Sequence, residues 1–200
     1  MKNKRSTKDL ALSSNERLYL NKNHNSIFNF PLIKNITSEY LNFYTFHSGF
    51  KKKSDDLLIV DFKQAFNVFS VYSRTSTPSA PILWDKKNNK GVCKLLIVNS
   101  GNANAHTGEK GIKDIDDYTS LACKYFNCLK NEIMVSSTGV IGERLNSKKI
   151  KKILPLVAKA NKVNLLKASK AIMTTDTFPK TAFKKIKIGS KTIRIFGIAK

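Results

Sequence analysis

Three stretches of this chain are rich in small, amide-bearing and hydroxyl residues: Asn99–Gly108 in "VNSGNANAHTGEKG", Ser136–Gly142 in "VSSTGVIGE" and Thr174–Thr177 in "IMTTDTFPK". In "VSSTGVIGE" the run from Glu132 to Ser137 reads as a short buried strand. The backbone amides at Thr138, Gly139 and Val140 are then expected to come free of its ladder. Glycine lets the backbone turn its N–H toward a ligand and lets a substrate approach closely. A hydroxyl beside such an amide gives two converging donors, as an oxyanion hole requires where negative charge develops. A plain Ser/Thr/Gly turn would read the same way locally.

The second polar cluster, "TTDTFPK", follows a helical pattern. It reads either as a helix stop, with Asp176 or Thr177 making local caps and Pro179 preventing continuation, or as a polar wall for a small polar substrate. Lys200, taken alone, reads as a solvated lysine. The chain contains no G-x-S-x-G, no cysteine beside a histidine, no phosphate-binding glycine loop and no dinucleotide fingerprint. Cys93, Cys123 and Cys128 have no metal-ligand spacing and read as buried thiols of a reducing compartment; His24, His47 and His106 are scattered. Taken by itself the chain offers donors and polar walls but no activated nucleophile.

The elements that must position these loops follow from hydrophobic periodicity. "DLLIVDF" (Asp56 to Phe62) and "FNVFSVYS" (Phe66 to Ser73) read as two strands of a meander, the second apolar on both faces. "TSTPSAPILW" reads as a turn in which Pro78 and Pro81 block a helix. "KLLIVNS" is a strand that feeds the Asn99–Gly108 loop, a segment expected to pack no core. "DIDDYTSLACKYFNCLK" carries apolar residues at helical spacing, with Asp114, Asp116 and Asp117 expected in its first turn. A helical region over 147–162 is expected to be split by Pro155 into a short first turn and a main helix, and another runs from Asn164 to Met173. Two alternating strands flank Gly189-Ser190, a two-residue hairpin turn. Strands, helix, strand, helices and hairpin make an α/β fold of the α+β layered kind.

The chain has 200 residues, 41% of them hydrophobic, which suffices for a sizeable core. Residues 1–30, rich in lysine and asparagine, read as a polar extension, and residues 31–200 as the domain. No window matches a membrane span and no leader pattern stands at the N-terminus, so a soluble, cytoplasmic protein is expected. Lys and Arg number 36 against 14 acids, a formal charge of +22. Such a balance would suit nucleic acid. Yet the lysines are spread along the chain with asparagines ("KKNNK", "NKNHN"), without aromatic interleaving or a DNA-binding motif. Compositional drift, or an acidic partner chain, accounts for them, and no nucleic-acid partner is expected.

In this order, "VNSGNANAHTGEKG", "VSSTGVIGERL", "AIMTTDTFPK" and "GIAK" resemble the bifunctional ornithine acetyltransferase / N-acetylglutamate synthase family of arginine biosynthesis. "FHSGFKKKSDDLLIV" and "VYSRTSTPSAPILW" resemble its N-terminal region, so the resemblance covers about His47 to Lys200. It implies the fold of the ornithine acetyltransferases, which have an N-terminal threonine nucleophile, with this chain corresponding to the α chain or N-terminal half. It implies a precursor that cleaves itself before a threonine of the following β chain, whose own amine activates the hydroxyl. Thr138 and Gly139 would then form the oxyanion hole, and Thr174 and Lys200 would bind substrate, with Thr175 an adjacent candidate. The implied activity is glutamate N-acetyltransferase, moving acetyl from N-acetylornithine to glutamate. It uses no metal and no cofactor, with acetyl-CoA a further possible acetyl donor, and works in a heterotetramer of two α and two β chains. An N-terminal-threonine aminopeptidase relative and an inactive α-chain fragment are the alternatives. Family members often have cysteine where His106 stands, which makes that position inessential.

Overall fold

The computed structural model describes residues 38–200; the proposed 1–30 extension lies outside the described residues. Four strands, β1 (Leu41–Phe46), β2 (Leu57–Asn67), β3 (Val92–Asn102) and β4 (Ile133–Val140), form one sheet in that order. The first two pairings are antiparallel and β3–β4 is parallel. A crossover through α2 (Gly108–Phe126) joins the parallel pair, as parallel strands require. The helices α1 (Ala80–Asn88), α3 (Ser147–Ile153) and α4 (Leu165–Ala171) complete the layers. A separate two-stranded hairpin, β5 (Lys180–Ile188) and β6 (Lys191–Ala199), ends the chain. The layered α/β architecture is as expected.

The sheet is covered on both faces because its strands are apolar on both. Along β2, Leu57 and Ile59 join a core with Leu95, Ile97, Ile133 and Val135 under Trp84 of α1 and Ile115, Tyr118 and Ala122 of α2. The alternate residues Leu58 and Val60 pack the opposite face with Leu165, Ala168 and Ala171 of α4 and with Phe196 and Ile198 of the hairpin. Each fully buried aliphatic side chain contributes about 1.5–3 kcal/mol. The two-residue period thus assigns the regularly paired residues of this sheet to the α1–α3 face or the α4 face.

Several expectations fail for identifiable reasons. Phe66 and Asn67 close β2, where Asn67 pairs with Val92 at the start of β3; beyond that no partner strand exists among the described residues. Residues 68–73 leave the sheet, and Phe69 and Val71 are 97% and 100% exposed. The true partner in the meander is β1. Pro81 does not block a helix but opens α1 behind the N-cap position Ser79, where its missing N–H has no intrahelical acceptor to lose. Helix α2 begins at Gly108, so Glu109 is its first-turn acid and Asp114, Asp116 and Asp117 lie deeper in the helix. Pro155 is followed not by a main helix but by a 3-10 segment, Leu154–Lys159. Asn164 caps α4, its side chain accepting from Lys167 N–H at 2.9 Å, and Gly189-Ser190 turns the hairpin with Gly189 at φ +59°.

Candidate active site

The Asn99–Gly108 segment is the scaffold of the site, and it does pack core. Asn99, Ser100, Asn102 and Asn104 are all buried, with Ser100 and Asn104 fully so. Buried polar groups need hydrogen-bond partners, and the amides find them locally. Asn99 Nδ2 donates to Asn102 O at 2.8 Å, while Asn99 Oδ1 accepts from the Ser137 hydroxyl at 2.6 Å. Asn102 Nδ2 donates to Glu143 O at 3.0 Å, and its Oδ1 accepts from Asn104 N–H at 2.8 Å. Asn104 Nδ2 donates to Gly111 O at 3.1 Å, tying the loop to α2. The three asparagines thus connect the ends of β3 and β4 to the loops that follow them.

Thr138 and Gly139 do not come free of a ladder that ends before them. Strand β4 continues to Val140, with Ser100 opposite Thr138 and Gly101 opposite Gly139. The pairing becomes irregular only from Gly101/Asn102 onward. Parallel partners share a face, so Thr138 lies with Ser100 on the α4 face. As the edge strand, β4 presents every second N–H away from β3; that of Val135 donates to Asp85 Oδ1 at 3.0 Å. Gly139 is exposed at the open end, and Val140 and Ile141 beyond it are 48% and 63% exposed.

Gly139 has a steric reason to be glycine. At its φ of +132° a Cβ would stand 2.3 Å from Gly101 C and 2.6 Å from Asn102 N, both backbone atoms that cannot move aside. Gly101 in turn carries Phe50 O where its own Cβ would be, at 2.7 Å. Loop 48–51, the end of β3 and the end of β4 therefore stack backbone on backbone.

Thr174 and Lys200 are 26 residues apart and meet: Lys200 Nζ donates to Thr174 Oγ1 at 2.6 Å. It also pairs with Asp176 at 2.6 Å, and Lys180 Nζ approaches the other Asp176 oxygen at 2.6 Å. Asp176 Oδ2 further accepts from Thr174 N–H at 3.2 Å, the local cap expected of it. Burial alone would raise the Asp176 carboxyl, but hydrogen bonds from Lys180, Lys200 and the Thr174 N–H outweigh it and hold the group well below the usual carboxylate range. Thr174 and Thr175 are exposed, and the hydrogen bonds of the cluster run through Thr174, Asp176 and Lys200.

The two halves share supports that the residue patterns did not single out. Ser100, opposite Thr138, donates its hydroxyl to Ala171 O at 2.5 Å. Lys51 Nζ donates to Ala171 O at 3.2 Å, Met173 O at 2.8 Å and Asp55 O at 3.0 Å. Asp56, fully buried, accepts from the Ser48 hydroxyl at 2.6 Å and from the N–H groups of Ser48, Gly49 and Lys51 at 2.7–3.0 Å. Desolvation would raise its carboxyl, but these bonds bring it below the usual range. Asp85, under β4, has one backbone donor, the Val135 N–H, and burial pushes it up to about 7. Among the described residues, no three His, Cys, Asp or Glu side chains converge as metal ligands, and no helix is long and apolar enough to cross a membrane.

The ArgJ family model matches residues 42–200. The arginine biosynthesis bifunctional protein ArgJ of Bartonella henselae is 45% identical over 159 residues, 78% of this chain and 39% of that protein. That of Bartonella quintana is 43% identical over the same length and the same shares. The chain therefore spans 39% of the length of these curated relatives. The fold is similar to the crystal structure of ArgJ from Bacillus halodurans, with a TM-score of 0.74 and 27% identity over 80% of this chain and 86% of that one. It is also similar to ornithine acetyltransferase from Mycobacterium tuberculosis, solved with ornithine, with a TM-score of 0.71 and 26% identity over 80% and 88%.

Proposed function

The chain belongs to the ArgJ family, and from that premise we propose that it supplies the oxyanion hole and part of the substrate site of a glutamate N-acetyltransferase of arginine biosynthesis. The observation that carries this reading is the convergence of Thr174 and Lys200 at 2.6 Å, with α4 leading to them over the sheet face that bears Thr138.

In this reading a β-chain threonine attacks the acetyl carbonyl of N-acetylornithine. The Thr138 hydroxyl and the Gly139 N–H donate to the tetrahedral oxyanion. Both sit where the Asn99–Asn104 network fixes the backbone, so they need no reorganisation as charge develops. The ornithine amine leaves, taking a proton, and the acetyl group stays on the threonine as an ester. Glutamate then attacks that ester, giving N-acetylglutamate and freeing the hydroxyl. The Lys200 ammonium pairs with a substrate carboxylate, and Thr174 orients it. Asp176 and Lys180 set the local charge so that Lys200 stays extended toward Thr174. The partner is the β chain of the same precursor in a cytoplasmic heterotetramer of two α and two β chains. No resident cofactor takes part; acetyl-CoA, if used, enters as an acetyl donor.

The test is co-expression of this chain with the rest of its reading frame and an assay of acetyl transfer from N-acetylornithine to glutamate. Thr138→Ala is expected to lower kcat by roughly 10²–10³ with KM little changed, the usual effect of losing one oxyanion donor. A correctly cleaved, folded wild-type protein that transfers no acetyl group rejects the reading.

A further inference from the structure

The Thr138 half and the Lys200 half of the site come from distant parts of the chain, and something must fix their separation to a fraction of an ångström. Thr174–Asp176 follow the C-terminus of α4 within a few residues. Helix α4 has only seven residues, too short to hold its own ends firmly. The last carbonyls of a helix have no intrahelical partner and must be satisfied from outside. The carbonyl of Ala171, the last helical residue, and that of Met173, two residues beyond it, are taken up from outside: both accept from Lys51 Nζ, and Ala171 O also from Ser100 Oγ.

We propose that Lys51 is a positioning residue of the acetyltransferase site: its ammonium, with the Ser100 hydroxyl, locks the C-terminus of α4 to the Thr138 side of the sheet and so sets Thr174 and Lys200 at the right distance from the oxyanion donors. This role rests on the acetyltransferase reading.

Four observations carry it. First, the three N–H donors of the ammonium match three backbone carbonyls, so Lys51 does not reach a ligand itself and acts through others. Second, a cation at a helix C-terminus is favourably placed against the dipole, and partial burial strengthens the interaction. Third, Lys51 is itself held. The buried Asp56 carboxylate accepts from Lys51 N–H at 2.8 Å and from two preceding residues, and the same residue's carbonyl accepts from Ser100 N–H at 2.8 Å. Asp56 therefore fixes both of the residues that grip Ala171 O. Fourth, Gly101 lies under Phe50 without room for a Cβ, which presses the Lys51 loop onto the strand end next to Thr138's partner. Desolvation lowers the Lys51 ammonium's pKa, with Asp56 and Asp55 opposing and Lys200 adding to the fall. The group is half-buried and within electrostatic reach of the site it positions.

The experiment uses the cleaved protein from the co-expressed full reading frame, as wild type, Lys51→Met, Lys51→Arg and Ser100→Ala. Two readouts are taken: KM and kcat for N-acetylornithine, and amide hydrogen exchange by segment. Lys51→Met is expected to raise KM at least tenfold with kcat within threefold. Exchange in residues 172–176 should speed up at least tenfold while that of 133–137 stays unchanged. Ser100→Ala, which removes one bond and no charge, should move the same readouts less. Lys51→Arg should recover part of the KM loss, because a guanidinium can still reach two carbonyls. Unaltered exchange in 172–176, or a fall in kcat and Tm with KM unmoved, overturns the proposal. A wild type without transferase activity rejects the acetyltransferase reading instead, and the exchange arm still decides whether Lys51 locks the helix end. If Lys51→Met does not fold, Ser100→Ala and Lys51→Arg decide by the same two readouts.

Discussion

Thr138 and Gly139 stand at the end of a strand braced by buried amides and hydroxyls, whereas Thr174 and Lys200 meet on an exposed surface around a shared carboxylate. The first half is held by shape: the backbones of Gly139 and Gly101 touch, and Asn99, Asn102 and Asn104 leave little freedom to the strand ends. The second half is held by charge, with Asp176 between Lys180 and Lys200, whose side chains are 37% and 27% exposed. In the proposed reading the first half is an oxyanion hole, which gains from rigidity because its donors must already point at charge that does not yet exist. The second half is in that reading a subsite that takes up and releases a charged amino acid, and it gains from ion pairs that water can compete for. The contrast predicts that steric changes damage the first half most and electrostatic changes the second.

The largest effect is expected from Gly139→Ala. The added Cβ would have to displace Gly101 C and Asn102 N, and a φ of +132° disfavours any L side chain. Overpacking and backbone strain together cost about 3 kcal/mol or more. Acetyl transfer should fall below detection, and Tm should drop by roughly 5 °C or more by calorimetry. A Gly139→Ala variant with wild-type Tm and activity would break the claim that shape holds this half.

Asp176→Asn should act differently. It leaves Lys180 and Lys200 without their common counter-charge while keeping the side-chain shape. Folding should be little affected, since both partners are partly exposed. KM for the amino-acid substrates should rise about three- to tenfold and kcat change less, as expected for lost ground-state binding. The wild-type KM should also rise with salt more steeply than that of the variant. The Asp176 carboxyl titrates below the usual range when folded, so its stabilising contribution is complete above the unfolded carboxylate pKa and is lost as pH falls below it.

How much of this was legible in the sequence differs between the halves too. The Gly189-Ser190 hairpin is a local signal and appears where expected; the α2 periodicity marks a helix, but that helix begins at Gly108, ahead of Asp114, and stops at Phe126, short of Lys130. The 66–73 segment alternates well but has no partner strand beyond Asn67 among the described residues, and pairing is a property of the whole sheet. Pro81 is ambiguous by nature, a helix breaker in an interior and a helix starter at the first turn. Of the site, Thr138, Gly139, Thr174 and Lys200 stand out through ordered motifs and a family resemblance. Lys51 does not, because nothing local distinguishes it from Lys52 and Lys53, which are exposed. Asp56 is likewise indistinguishable from Asp55 until the fold buries it.

The smallest expected effect sharpens the comparison, because the shape-held half contains one hidden titrating group. Asp85 is 4% exposed and, among the described residues, accepts only the Val135 N–H, on the strand that leads to Thr138. Burial raises its pKa to about 7, with the Val135 hydrogen bond opposing. A folded pKa above the unfolded one means that the folded state binds the proton more tightly. The associated stability is fully present below about pH 4, where even the unfolded carboxyl is protonated, and is lost as pH rises through 7. The buried groups facing it titrate outside that window: burial pushes the Cys93 thiol up to about 11 and the Tyr118 hydroxyl higher still. Asp85→Asn keeps a carbonyl oxygen for Val135 and removes the titration. Wild type minus variant Tm should therefore fall between pH 4 and pH 7 and level off above it, with the variant the more stable by a few degrees at pH 8. A pH-independent difference would mean that the charge under β4 is already compensated, and that the shape-held half is neutral in its supports.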